Sequence, residues 1–137
     1  MAVLLSAIVF AADKKIERKD LPAAVQKALD QIMAEQTKGA KIVGYSTEVE
    51  NGKTSYEVET KVSGHSRDLE FDAKGTLLVV EEETPLDSVP AAAKAALVKK
   101  AAGGIITKVE SVTKDKVVTY EAHVTSKAGK KFEVTAK

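Results

Sequence analysis

Asp20-Leu21-Pro22-Ala23-Ala24 recurs as Ser88-Val89-Pro90-Ala91-Ala92, and after each copy the hydrophobic period changes from helical to alternating. Each copy reads as a helix start: a capping residue, an apolar residue, then proline in a first turn where its missing N–H costs nothing. Leu21, Val25, Ala28, Leu29 and Ile32 follow at helical spacing, and Gly39 supplies a stop. Val89, Ala93, Ala96 and Leu97 repeat that stripe before Gly103-Gly104. The second helix is Ala-rich and thin, so it can approach a sheet closely but buries less apolar area, and is expected to be the weaker half.

Beyond each helix, alternation predicts half-buried antiparallel strands. Val43, Tyr45, Thr47 and Val49 share one face of the first strand, and Asn51-Gly52 is a strong signal for a type I′ hairpin. On the return strand, Lys53 to Val62, Tyr56, Val58 and Thr60 point one way while Glu57, Glu59 and Lys61 point the other. Ser63-Gly64-His65 turns the chain into Arg67, Leu69 and Phe71 alternating with Asp68, Glu70 and Asp72. Asp72-Ala73-Lys74-Gly75 then leads into a fourth strand, Thr76 to Glu82. The second unit starts at Ile105, turns at Lys114-Asp115-Lys116, places Val118, Tyr120, Ala122 and Val124 inward, and ends before a fourth strand.

The expected fold is therefore α+β: two α-β-β-β(-β) repeats, over 20–83 and 85–137, with both helices on one face of an antiparallel sheet of about seven strands. Two copies of roughly 65 residues make a duplicated domain rather than a solenoid. A chain of 137 residues can bury a core without a metal or disulfide staple. The absence of cysteine removes disulfide frameworks, thiolate metal sites and cysteine nucleophiles.

The helix opening Leu21-Pro22, the strand Tyr56-Glu57-Val58 and the run Leu69-Glu70-Phe71-Asp72-Ala73-Lys74-Gly75-Thr76-Leu77-Leu78 resemble the PepSY-like domains related to β-lactamase-inhibitor proteins. The resemblance covers nearly all of 20–137, as two tandem copies. The second keeps the helix start and the tyrosine strand, Tyr120-Glu121, but not the Asp-x-x-Gly turn. It implies an exported bacterial protein of this architecture that modulates a peptidase or another envelope protein, and it implies no catalytic residues.

Residues 1–12 agree with export: an apolar run broken only by Ser6 ends in Ala11-Ala12 before Asp13-Lys14-Lys15, as in a signal peptide, though no basic residue precedes the run. The run is too short to span a bilayer. An enzyme is disfavoured: no Gly-x-Ser-x-Gly occurs, and His65 and His123 are the sole histidines. His65 reads as a solvated turn residue and His123 as a polar-face residue beside Glu121. Two histidines in different repeats do not supply a zinc site. Gly103-Gly104 lacks the spacing and lysine of a P-loop, and Lys127, Lys130 and Lys131 lack the interleaved aromatics of a nucleic-acid surface. No cofactor, metal or nucleic acid is expected.

Charge is the remaining signal. Residues 41–83 carry ten acidic against five basic residues, and 84–137 carry ten lysines against five acids. Such opposite halves suit a monomer or weak head-to-tail self-association. Alternation places Glu57, Glu59, Asp68 and Glu70 on the face away from the helices, open to solvent or a partner, with Glu121 and His123 joining from the second unit. Like charges across strands are unfavourable, so a face that tolerates them is a candidate docking surface for a basic protein. The simpler reading is a soluble outer face. The competing function is a periplasmic or secreted carrier of a small ligand or cation, with carboxylates as hard oxygen ligands.

Overall fold

The computed structural model describes residues 13–36 and 39–137. The signal-like segment 1–12 lies outside the described residues. Strand β1 (Lys14–Lys15) precedes helix α1 (Ala23–Gln36), which is followed by β2 (Lys41–Glu50), β3 (Lys53–Val62), β4 (His65–Phe71) and β5 (Leu77–Glu83). Helix α2 (Ala91–Lys100) then leads to β6 (Ile105–Lys114), β7 (Val117–Thr125) and β8 (Lys131–Ala136). The eight strands form one antiparallel sheet in chain order, so the expected seven gain the two-residue β1, which sequence alternation is too short to reveal.

Register places both helices on the same side. Val58 opposes Leu69, Leu69 opposes Val80, Val80 opposes Thr113, and Val109, four residues before Thr113, opposes Ala122. These residues share one face, because directly opposed residues and those an even number apart point the same way. On it, α1 buries Val25 and Leu29 against Val58, Leu69 and Phe71, while α2 buries Ala93 and Leu97 against Val109, Ala122 and Val124. Three of the eight buried residues around α2 are alanines besides Ala136, whereas none of the six around α1 is. The second helix is thin, as its composition predicts.

Several local details differ from the sequence reading. Each proline stands one place before its helix, at the N-cap: Gln26 N–H bonds to the Pro22 carbonyl at 3.0 Å, and Lys94 N–H to that of Pro90 at 2.9 Å. Asp20 and Ser88 instead end short 3-10 turns, Arg18–Asp20 and Leu86–Ser88, and the Asp20 carboxylate accepts the Glu17 N–H at 2.9 Å. Val43, expected inward, is 56% exposed, because a bulge between Ile42 and Gly44 turns it out and seats Ile42 in the core. A matching bulge lies between Ile106 and Lys108. Val118 shares the helix-facing side through Thr113 but lies 45% exposed, beyond the helices.

The turn after β4 locks sheet to helix. The Asp72 carboxylate accepts the N–H groups of Lys74 and Thr76, both at 2.9 Å, which holds its pKa below the usual carboxylate value. Gly75 has φ +82°, and a Cβ there would stand 2.5 Å from the Ala24 carbonyl oxygen in α1. Gly64 is equally left-handed, at φ +83°, but faces open space. Gly75→Ala is therefore expected to lower unfolding free energy by about 2–4 kcal/mol and Gly64→Ala by about 1 kcal/mol in urea denaturation. Equal losses would show that the approach to α1 contributes nothing.

Candidate functional site

With both helices on one side, the other face of the sheet is uncovered. Opposed carboxylates line it: Glu57 with Glu70, Glu59 with Asp68, Asp68 with Glu81, Glu83 with Glu110, and Glu110 with Glu121. His123 stands opposite Glu133. Side chains from Asp13 and Glu48 at one edge to Glu133 at the other line a single groove of about 360 Å³, so the face is concave across the strands. Nine carboxylates and His123 are among its lining residues.

Concavity changes the character of these acids. Expected to be open, Glu57, Asp68, Glu70 and Glu121 are half-buried, and Glu110 is only 3% exposed. Burial, then the nearby Asp68 charge, pushes the Glu57 carboxyl up to about 7, although Ser46 Oγ donates to it at 3.2 Å. Burial and the charges of Glu110 and Glu121 push Glu81 up to about 7 as well. Burial also raises Asp68, Glu121 and Glu48, with the Thr60 N–H, 3.2 Å from Asp68 Oδ1, pulling Asp68 the other way.

The chain provides its own basic groups at the second end of the groove. Lys108 Nζ is ion-paired to Glu110 Oε1. Burial works against the Lys108 charge, but the bond to Glu110 and the charges of Glu110, Asp68 and Glu83 outweigh it, so its pKa is raised. His123 Nε2 lies 2.9 Å from Glu110 Oε2 and 3.8 Å from Glu121 Oε1, and its Nδ1 is 3.4 Å from Glu133 Oε1. Among the described residues, two groups have ligand atoms within 4.8 Å of one another and could hold a metal ion: Glu110, Glu121 and His123, and Asp68, Glu81 and Glu110. The sequence reading saw no convergent set because it did not orient β6 and so missed Glu110.

Of the residues singled out from sequence, Glu57, Asp68, Glu70, Glu121 and His123 line the groove. Glu59 lies on the same face but packs against Gly44, where an added Cβ would stand 3.2 Å from its Oε2. Glu81 and Glu110 were not assigned to the face, although each alternates with inward-facing neighbours and opposes another acid. His65 keeps to the sheet end, exposed, with Nδ1 3.6 Å from Glu83 Oε1.

Comparison with known proteins agrees with this architecture. Residues 54–137 match the family model described as "Putative beta-lactamase-inhibitor-like, PepSY-like". The chain belongs to this PepSY-like family. Residues 23–75 also match the "Peptidase propeptide and YPEB domain". Similar solved structures include a DUF2874 family protein from Bacteroides ovatus ATCC 8483, with 16% identity, 85% of this chain and 80% of that one covered, and a TM-score of 0.62. A protein described as "putative periplasmic" from Bacteroides eggerthii DSM 20697 has 18% identity, 84% and 80% coverage, and a TM-score of 0.63. A BLIP-like protein from Bacteroides fragilis NCTC 9343 has 18% identity, 84% and 77% coverage, and a TM-score of 0.56. At these identities the shared property is the fold. No curated protein matches the chain significantly. Among the described residues of this PepSY-like protein, no helix is long and apolar enough to cross a membrane.

The raised carboxyls make stability depend on pH in a definite direction. Between the ordinary value of 4.5 and about 7, Glu57 and Glu81 bind more protons folded than unfolded, so their contribution falls as pH rises through that window. The melting temperature is expected to be lower at pH 8 than at pH 5.5. Replacing both by glutamine should flatten the difference and raise the value at pH 8. Thermal denaturation followed by circular dichroism tests this, and a melting temperature that climbs from pH 5.5 to 8 would contradict it.

Proposed function

We propose that this PepSY-like protein is a non-enzymatic, exported binding module of the cell envelope, which docks a basic protein surface on its concave sheet face and modulates a peptidase or other envelope protein. The observation that carries this reading is the uncovered, acidic, curved face opposite the two helices. Like charges opposed across strands oppose folding, so their accumulation is better explained by complementarity to a partner than by sheet stability. The families matched, inhibitor-like and peptidase-propeptide, support a modulatory role, and the "putative periplasmic" relative supports export.

The second reading, a carrier of a cation or small ligand, is favoured by the two convergent ligand groups that share Glu110. Lys108 weighs against it, since its ammonium group is already paired with that carboxylate, and His123 Nε2 occupies the other carboxylate oxygen.

Affinity capture from a periplasmic extract of the native host separates the readings. A specific basic protein should be retained by the wild-type chain and reduced at least tenfold by the combined Glu57→Lys, Glu59→Lys and Glu70→Lys replacements, after circular dichroism shows the variant folded. Retention unaffected by the reversal would reject the acidic face. No retained protein, with a calcium-dependent rise in melting temperature, would favour the carrier.

A further inference from the structure

The outer edge of β8 is a surface that docking in the groove does not use. Tyr120 stands opposite Ala136 as Tyr56 stands opposite Phe71, so β8 holds in the second unit the place of β4 in the first. There β4 has β5 as a further neighbour, whereas among the described residues β8 pairs only with β7. Ser126 N–H bonds to the Lys130 carbonyl at 2.8 Å, directly before the first pair of the β7–β8 ladder, Thr125 with Lys131. Hydrogen-bonded and non-hydrogen-bonded pairs alternate along an antiparallel ladder, so Phe132, Val134 and Ala136 bond to β7, and Lys131, Glu133 and Thr135 turn their N–H and C=O groups to the open side. Lys100, from the last turn of α2, donates its ammonium group to the Thr135 carbonyl. Bare carbonyls therefore remain at Lys131 and Glu133, whose exposed side chains flank the half-buried Phe132.

We propose that the β8 edge is a self-association surface, on which two copies of the chain pair antiparallel about a two-fold axis at Phe132. A two-fold antiparallel pairing sets residues equally spaced about its centre opposite one another. Centred on Phe132, it puts Lys131 of each copy opposite Glu133 of the other, with outward backbone groups matched and opposite charges facing. Phe132 then meets its own copy in the closer, non-hydrogen-bonded kind of pair, where aromatic rings reach each other. The neighbouring registers lack this fit. Centring on Glu133 sets that carboxylate against itself, centring on Val134 sets Lys131 against Lys137, and centring on Thr135 calls on the carbonyl that Lys100 holds. A centre between residues would set outward groups against groups already bonded to β7 and turn the helices to opposite faces. The fold has room for a strand there: β5 lies beside β4 in the first unit, with Val80 packed against the α1 core. The pairing is independent of what docks in the groove. Its consequence is that both acidic grooves open on the same side of one continuous sheet, so a partner with repeated cations meets two at once.

Sedimentation equilibrium of the full chain tests this, over about 10 μM to 1 mM because so short a pairing binds weakly. The mass is expected to rise with concentration from that of one chain toward that of two. Lys131→Glu leaves acids at both places and Glu133→Lys leaves lysines at both, so each variant alone should associate about tenfold or more weakly than the wild type. An equal mixture of the two should recover association, because each acid then meets a lysine, and recovery also shows that both variants are folded. A wild-type chain that stays at the mass of one copy, variants that associate as well as the wild type, or a mixture no stronger than its components would each overturn the proposal. Amide hydrogen exchange of the wild-type chain needs no variant: exchange at Lys131 and Glu133 should slow as the chain is concentrated, and unchanged exchange there would overturn the pairing even where the mass rises. None of these outcomes bears on docking in the groove, which the capture experiment decides.

Discussion

The pairing of β5 with β6 is the constraint on which the molecule depends. It joins the strands that follow α1 to those that follow α2, and its register, Val80 with Thr113 and Glu81 with Val112, decides that both helices cover one face. A slip of one residue would send every side chain of β6 to the opposite side. Val109 would then face away from the β5 core residues, and Glu110 would be driven under α2. The bare face is thus the other side of the same register that builds the core, and neither can be altered alone.

That linkage accounts for how the fold tolerates the acidic face. Burying carboxylates among like charges is costly, and the structure offsets it only in part, with Lys108 and His123 beside Glu110 and Ser46 beside Glu57. The helix-facing side supplies the compensation: Val25, Leu29, Val58, Leu69, Phe71 and Leu97 are all fully buried. Each such side chain contributes about 1.5–3 kcal/mol by burial, so a well-packed face can carry a frustrated one.

Much of this was legible in the sequence because strand parity and turn chemistry are local. Asn51 and Gly52, with φ 50° and 74°, form the expected tight turn, and β3 has the expected limits. The polar orientation of Glu57, Glu59, Asp68 and Glu70 followed from alternation alone. The bulges at Ile42/Gly44 and Ile106/Lys108 were not legible, because alternation assumes an unbroken period of two. Nor was the depth of the groove: curvature arises from the whole sheet, and it converts residues of correct parity from open to half-buried. Glu110 was missed for a related reason, since its significance lies in meeting partners from β5 and β7 as well as Lys108 on its own strand.

The division of charge between the halves also takes another form in three dimensions. The acids of the lysine-rich half, Glu110, Glu121 and Glu133, line the same groove as those of the acidic half. Apart from Lys108, paired with Glu110, and Lys15, opposite Ser46 on the two-residue edge strand, the lysines of that face are carried to the strand ends by register: Lys41 opposite Lys61, Lys53 beside the first hairpin, Lys114 beside the hairpin into β7, and Lys131 at the start of β8. Charge is therefore sorted from centre to rim and less by half. A cationic surface approaching broadside meets the lysine rim first, whereas a protruding lysine or arginine can reach the carboxylates at the centre. Because exposed charges are screened beyond about 8 Å at physiological salt while half-buried ones are screened less, the centre outweighs the rim only at short range. Selectivity on this face then favours a partner whose positive charge projects over one whose charge is merely spread across its surface.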